Sequence, residues 1–456
     1  MSKYYLIIIF CSLLYLPTTS LASDLPKGEF LDSIKLNENS NLIYSLYLPG
    51  SYSSEKEWPI IYFFDPGGLG FMPIKNYQSI AEEFGFIIIC SYNSRNGPLE
   101  NNLKVFDGML DETFKEFSIN KERIICSGFS GGSRVSLALA NDTQIINTVI
   151  ACGAGEPSIE NLYKFGQFNY VSLVGHLDFN LLEMIELDSK MDNLKINNYR
   201  LVFTGPHRWP PLKYYREAVL WTMNNWGMNS ILFSETVDHR IDSLITSNNL
   251  VEAQRNIDQL KNVSYDNKII DQKSFKKQKK LYIKAIKYET NLRSEIMESF
   301  KVMYQKLYST FPPNPDSINV NIWEGFSKKT NKLIESDDEL KKDVGTRMRS
   351  FISANLFERI QWNIQAKDWR LADKFAEMWQ FYNYVPQITW QLAKIFASNG
   401  EEELAIRNLR ILLINSSDYS FQNIIDEDVF NNLLMNESNY DQLKELSKTE
   451  IENTGN

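Results

Sequence analysis

A serine, a histidine and a carboxylate can together break an ester or an amide. The serine must stand clear of the backbone, and the other two must reach it in sequence. Ser130 has the setting for this. In Gly128-Phe129-Ser130-Gly131-Gly132 a small residue lies two positions away on either side. The apolar run Ile124-Ile125-Cys126 before it reads as a buried strand, and Val135-Ser136-Leu137-Ala138-Leu139-Ala140 after it has helical composition. Strand, tight turn and helix with the serine at the apex make a G-x-S-x-G turn. Its glycines are needed because the serine backbone is strained and the helix passes close to the strand. Such a turn lifts Ser130 Oγ above the sheet at the positive end of the helix, where the Gly131 N–H can meet an oxyanion.

The base is sought among three histidines. His207 lies in Gly205-Pro206-His207-Arg208-Trp209, just after an expected strand. His239 falls in a helical region and reads as a surface residue, while His176 adjoins the loop expected to carry the acid. That loop is Gly175-His176-Leu177-Asp178-Phe179-Asn180, which makes Asp178 the candidate acid. Glu156 also follows a strand and is the second candidate. The chain order Ser130, Asp178, His207 is that of the α/β-hydrolases.

The elements that must position these groups follow from periodicity. Residues 30–36 and 41–48 read as antiparallel strands. Residues 58–64 form a continuous apolar run stopped by Asp65-Pro66-Gly67-Gly68, the mark of a buried strand. Tyr77, Ile80, Ala81 and Phe84 recur at helical spacing; residues 86–90 are again strand-like, and a polar loop covers 91–98. Phe106, Met109, Leu110, Phe114 and Phe117 mark a helix leading into the serine strand. Further strands are expected near 148–152, 170–175 and 199–204, then a helix over 212–226 closed by Gly227. The alternation predicts an α/β fold, a mostly parallel sheet with helices on both faces. Ligands bind beyond the carboxyl ends of such strands, where Gly67-Gly68, Ser130, Asp178 and His207 all fall.

From about residue 234 the strand-like runs vanish and helical spacing takes over, as in Leu281, Ala285, Ile286, Leu292 and Ile296. The run Lys276 to Lys280 reads as a solvated helix face. Ala372 and Ala405 hold like positions in two helix–turn–helix units 33 residues apart, close to the tetratricopeptide period. The first unit has Asp368 where a glycine is expected. The reading is an all-α, repeat-like second domain with two or three degenerate repeats, over 235–456.

The bulk properties fit this division. The 456 residues suit two domains, and a net charge of −9 without a basic stripe excludes a nucleic-acid surface. Lys3, an apolar stretch from Tyr4 to Leu16, Pro17 and Ser20-Leu21-Ala22 predict a cleaved export signal over 1–22. The stretch is short for a bilayer, so no stable membrane span is expected and the protein is read as periplasmic or extracellular. Cys90, Cys126 and Cys152 remain, each at a strand end, and free buried thiols are expected, with a Cys126–Cys152 bridge as the alternative. The Cys and His spacing matches no metal site, so neither metal nor cofactor is expected.

Residues 30–226, within a domain spanning 23–228, resemble secreted α/β-hydrolases of the polyhydroxybutyrate-depolymerase and feruloyl-esterase type. The matching stretches are Tyr47-Leu48-Pro49-Gly50-Ser51-Tyr52, Phe64-Asp65-Pro66-Gly67-Gly68, the Ser130 turn and the His207 loop. The resemblance implies that Ser130 attacks, His207 is base then acid, and Asp178 holds the imidazole tautomer. It implies an oxyanion hole made by the N–H of Gly131 and one from Gly67 or Gly68. One departure stands out. Such enzymes carry His-Gly after this strand, and here Asp65-Pro66-Gly67 takes its place. Pro66 has no N–H, and a carboxylate aimed at the oxyanion would oppose catalysis, so Asp65 is expected to cap the turn and face away. Arg95 is a candidate for an anionic substrate. Trp209 either covers the bound acyl group or packs beneath the histidine loop. The expected activity is that of a serine carboxylesterase acting on an ester-containing small molecule or polymer fragment. A peptidase or amidase on the same triad is an alternative. So is a weakly active or inactive hydrolase that binds a protein partner through its helical domain.

Overall fold

The structure, a computed structural model, describes residues 25–37, 40–155, 168–260, 270–383, 386–416 and 418–453. The expected signal segment 1–22 and the alternative acid Glu156 lie outside the described residues. The chain divides into two compact units, Met1–Gly175 with Glu183–Lys268, and His176–Leu182 with Ile269–Asn456.

The first unit is built on one sheet. Its strands are β1 (Phe30–Ile34), β2 (Tyr44–Tyr47), β3 (Trp58–Phe64), β4 (Ile87–Ser91), β5 (Ile119–Phe129), β6 (Thr148–Cys152), β7 (Asn169–Gly175) and β8 (Asn198–Phe203). They lie in the order β1-β2-β4-β3-β5-β6-β7-β8, and only β2 runs against the rest. That is the α/β-hydrolase sheet. Its helices are α1 (Phe71–Phe84), α2 (Leu99–Glu116), α3 (Gly131–Asp142), α4 (Leu181–Asn193), α5 (Leu212–Asn225), α6 (Ser230–Thr246) and α7 (Leu250–Gln259).

The central strands are apolar on both sides because both faces are covered. On β3, Ile61 and Phe63 join Ile74 and Tyr77 of α1 and Tyr215 and Val219 of α5 in one core. The alternate residues Tyr62 and Phe64 meet Phe106 of α2 edge-on, at ring separations of 5.5 and 6.0 Å. Period two on the strand therefore feeds two helix layers. The sequence pattern gave no helix between β7 and β8. That place is filled by α4, whose Leu182, Met184, Leu187 and Met191 are buried.

The expected boundary between residues 228 and 235 falls inside this unit, which runs on to Lys268. The helical spacing there is that of α6, whose Phe233, Val237 and Ile241 pack into the core under the sheet. An ion pair of Arg240 with Glu217, 2.8 Å and largely buried, ties α6 to α5.

The second unit is helical. Its main helices are α8 (Gln272–Leu307), α9 (Val320–Ile334), α10 (Glu339–Gln365), α11 (Trp369–Trp379), α12 (Pro386–Ser398) and α13 (Glu402–Asn415). Lys276, Lys277, Lys279 and Lys280 are exposed on α8. Helix α10 pairs with α11, and α12 with α13. Ala372 and Ala405 are fully buried at equivalent places on α11 and α13. The turn before each carries a left-handed residue, Lys367 at φ 58° and Gly400 at φ 76°. The counterpart of Gly400 is thus Lys367, and Asp368 instead caps α11 by accepting the Leu371 N–H. Among the described residues no helix is long and apolar enough to cross a membrane.

The three described cysteines are free and fully buried, so the alternative Cys126–Cys152 bridge is absent. In the register Cys126 faces Val149 and Phe129 faces Cys152, which sets the two thiols on different rungs. Burial pushes all three thiols well up. The thiolate is the reactive form, so native protein at pH 8 is expected to leave these cysteines unmodified by Ellman's reagent and to release them in guanidinium. Rapid labelling of any of the three in folded protein would contradict this burial.

Candidate active site

Strand β5 runs straight into the serine turn. Ser130 has φ 51° and ψ −119°, a conformation that L residues rarely adopt and that must be held by its surroundings. Those surroundings are close. A Cβ on Gly128 would lie 2.2 Å from the Gly132 carbonyl oxygen, and one on Gly132 would lie 2.0 Å from the Phe64 carbonyl oxygen. The start of α3 therefore passes against two strand ends where only hydrogen fits. The Ser130 N–H donates to Cys152 O at 2.8 Å, and the Ser130 carbonyl accepts from Ser133 N at 3.0 Å. The Gly131 N–H, first of the helix, has no acceptor among the described residues. An orphan donor at the positive end of a 12-residue helix beside a serine is suited to an oxyanion.

His207 is half-buried in the loop after β8. Its imidazole lies over the ring of Phe129, 4.5 Å between centroids, so the residue preceding Ser130 joins the serine turn to the histidine loop. Trp209 packs on Phe129, Phe63 and Tyr77. Its indole N–H donates to Asp65 Oδ2 at 3.1 Å.

Asp65 caps its turn. Its Oδ1 accepts from Gly67 N at 2.9 Å and Leu69 N at 3.1 Å, while its carbonyl accepts from Gly68 N at 3.1 Å. This has a price for the expected oxyanion hole. The N–H groups of Gly67 and Gly68 are both committed to Asp65, so of the three expected donors only Gly131 is open. Gly68 is left-handed, at φ 70°, and lies under Tyr92 O and Ser94 O of the next loop. Arg95 is exposed in that loop, with its Nη2 3.4 Å from Tyr92 O and its Nε beside Gly68.

The loop expected to carry the acid belongs to the second unit, and within it the contacts are specific. Asp178 is fully buried, and its Oδ1 accepts the Asn180 N–H at 2.8 Å. Arg347 of α10 donates to His176 O at 2.7 Å, and Arg293 of α8 donates to Phe179 O at 3.1 Å. Arg347 is itself held by Glu289 through Nε at 2.9 Å and Nη2 at 2.6 Å, a buried fork-to-fork pair. No sequence signal marked these two arginines. In the first unit, Gly175 ends β7 against the carbonyls of Gly205 and Pro206, at 2.3 and 2.6 Å from an added Cβ. The remaining histidine, His239, is exposed on α6 as expected.

No family model matches the chain, and no curated protein does. Solved structures similar to part of it include the fluorophosphonate-binding serine hydrolase F of Staphylococcus aureus. That match is 10% identical, covers 43% of this chain and 99% of the other, and has a TM-score of 0.36. The feruloyl esterase module of Clostridium thermocellum is 15% identical over 44% of this chain and 89% of its own, at TM-score 0.35. A ferulic acid esterase is 20% identical over 42% and 93%, at TM-score 0.33. The strand order, rather than this likeness, establishes the fold. Among the described residues no group of His, Cys, Asp and Glu is arranged to hold a metal ion.

Proposed function

We propose that this protein is a serine hydrolase, and specifically a carboxylesterase, with Ser130 as nucleophile, His207 as general base and acid, and Asp178 as the group that orients His207. One observation carries the reading: the backbone of Ser130, strained at φ 51° between β5 and α3 and clamped by Gly128 and Gly132, where an added Cβ would meet backbone at 2.2 and 2.0 Å. Strain of this kind is retained where it serves a function.

The steps follow from the groups. His207 takes the hydroxyl proton as Ser130 Oγ bonds to the acyl carbon, and the carbonyl electron pair moves onto its oxygen. The Gly131 N–H meets that oxyanion. Collapse breaks the ester C–O bond, and His207 returns the proton to the leaving alcohol. Water then repeats the sequence on the acyl-enzyme and releases the acid. An amide would be cleaved through the same steps.

The capped carboxylate of Asp65 favours an active enzyme over an inactive binding module, because its oxygens point into their own turn and toward Trp209. Arg95, exposed beside Gly68, is the cation that an anionic acyl or polymer group would meet. We read residues 1–22 as an export signal, which places the enzyme in the periplasm or outside the cell. The paired helices α10–α13, repeating at 33 residues, we read as tetratricopeptide-like and suited to a protein partner.

The test is covalent. A fluorophosphonate probe should add one phosphonyl group to the peptide bearing Ser130, located by mass spectrometry, and a matched screen of p-nitrophenyl esters and anilides should favour the esters. Folded protein that takes up no probe would remove the nucleophile from the account. Faster turnover of the anilides would move the assignment to amidase.

A further inference from the structure

The oxyanion of a tetrahedral intermediate needs more than one donor, and the turn that was expected to supply the second has none to give. Pro66 lacks an N–H, and the next three, on Gly67, Gly68 and Leu69, all bond to Asp65. The neighbouring loop offers a replacement. Asn96 N donates to Pro66 O at 2.8 Å, which draws the loop after β4 onto the Asp65 turn. Buried Asn102 fixes the preceding residues: it accepts from Ser94 Oγ at 2.7 Å and Arg95 N at 3.2 Å, and donates to Arg95 O at 3.1 Å.

So anchored, Asn96 lays its carboxamide against Gly131. A Cβ on Gly131 would lie 1.7 Å from Asn96 Oδ1, 2.8 Å from Cγ and 3.4 Å from Nδ2. Position 131 is the variable place of the G-x-S-x-G turn, and it has no left-handed φ that would demand glycine. The carboxamide fills the space that a side chain there would take. Asn96 is exposed, and neither face of its amide has a partner among the described residues. Its Nδ2 is thus free to turn onto an oxygen bound beside the Gly131 N–H.

We propose that Asn96 is a catalytic residue, its Nδ2–H supplying the second donor of the oxyanion hole through a side chain where the Asp65 turn supplies none. This rests on the serine-hydrolase reading above. Loss of one oxyanion donor lowers kcat by on the order of 10²-fold while leaving ground-state binding nearly unchanged. Asn96→Ala is therefore expected to lower kcat by about 10²-fold with KM held within about 3-fold. Asn96→Asp, which replaces the donor by a negative charge, should fall further.

The clash gives a second handle. Gly131→Ala should displace the carboxamide and mimic Asn96→Ala, yet the double variant should be little worse than either alone. Coupling of this kind is what a double-mutant cycle measures. Kinetics on the best p-nitrophenyl ester, with circular dichroism to check folding of each variant, decide the matter. A kcat for Asn96→Ala within about 3-fold of wild type, or fully additive losses in the cycle, would overturn the proposal and leave the Ser130 assignment standing. Wild-type protein without Ser130-dependent turnover would overturn the parent reading and this one with it.

Discussion

Ser130→Ala is expected to lower kcat by about 10⁴-fold or more on any substrate the protein turns over, because the nucleophile and its base act as a unit. Folding should be unaffected by the change: the alanine Cβ occupies the place of the serine Cβ, and the backbone bond from Ser130 N to Cys152 O is retained. The opposite coupling is expected of Ser130→Gly. Glycine adopts φ near 51° without strain, so this variant should be as inactive as alanine but more stable, by about 1 kcal/mol. Turnover and thermal unfolding measured side by side on the two variants separate strain from chemistry. Loss of activity in both with a gain in stability only in glycine is the signature of a strained nucleophile. Ester turnover by the alanine variant above about a hundredth of wild type would point to another nucleophile.

Gly132→Ala should do severe structural damage in the first unit. The added Cβ would lie 2.0 Å from the Phe64 carbonyl oxygen and 2.6 Å from its carbon. Both are backbone atoms at the end of β3, a strand held on each side by β4 and β5. Neither α3 nor β3 can yield without breaking ladder hydrogen bonds or the Ser130 turn. A destabilisation of about 4 kcal/mol or more is expected, at the upper end of overpacking effects. Gly325→Ala is the matched control: it lies in α9 with nothing within 4 Å of its added Cβ, and alanine there should be neutral or stabilising by up to about 1 kcal/mol. Soluble yield and thermal unfolding compare the pair. Equal behaviour would show that the strand and helix are not in close contact at Gly132.

Much of the sheet was legible because its central strands are buried on both faces. Continuous runs such as Trp58–Phe64 and Thr148–Cys152 end where their glycine and polar turns begin, and the structure places both strands at the expected residues. The glycine pattern around Ser130 was legible for the same local reason, since its close approaches lie within five residues and one strand end. What the sequence hid is decided at long range. The fate of the Gly67 and Gly68 donors depends on which way the Asp65 carboxylate turns, and Trp209, 144 positions away, takes its other oxygen. Asn96 sits in a polar loop without periodicity, and its meaning comes only from Pro66 and Gly131. Likewise the spacing of Phe233, Val237 and Ile241 announces a helix but not the core it joins, which is that of the sheet.

The guanidinium groups on His176 O and Phe179 O have a consequence for how this protein can be cut or recombined. The short segment His176–Leu182 is interrupted sequence: the sheet unit flanks it on both sides, yet it clusters with the helices that begin near residue 269. A chain stopped at Lys268 would keep every strand and both of the residues proposed to exchange the proton. It would lose Arg293, Arg347 and Glu289, the anchors of the turn that carries Asp178. The carboxyl-terminal half is therefore no detachable module. Any shuffling event or expression design that swaps it must bring partners for this turn, or the two halves must be inherited as one piece.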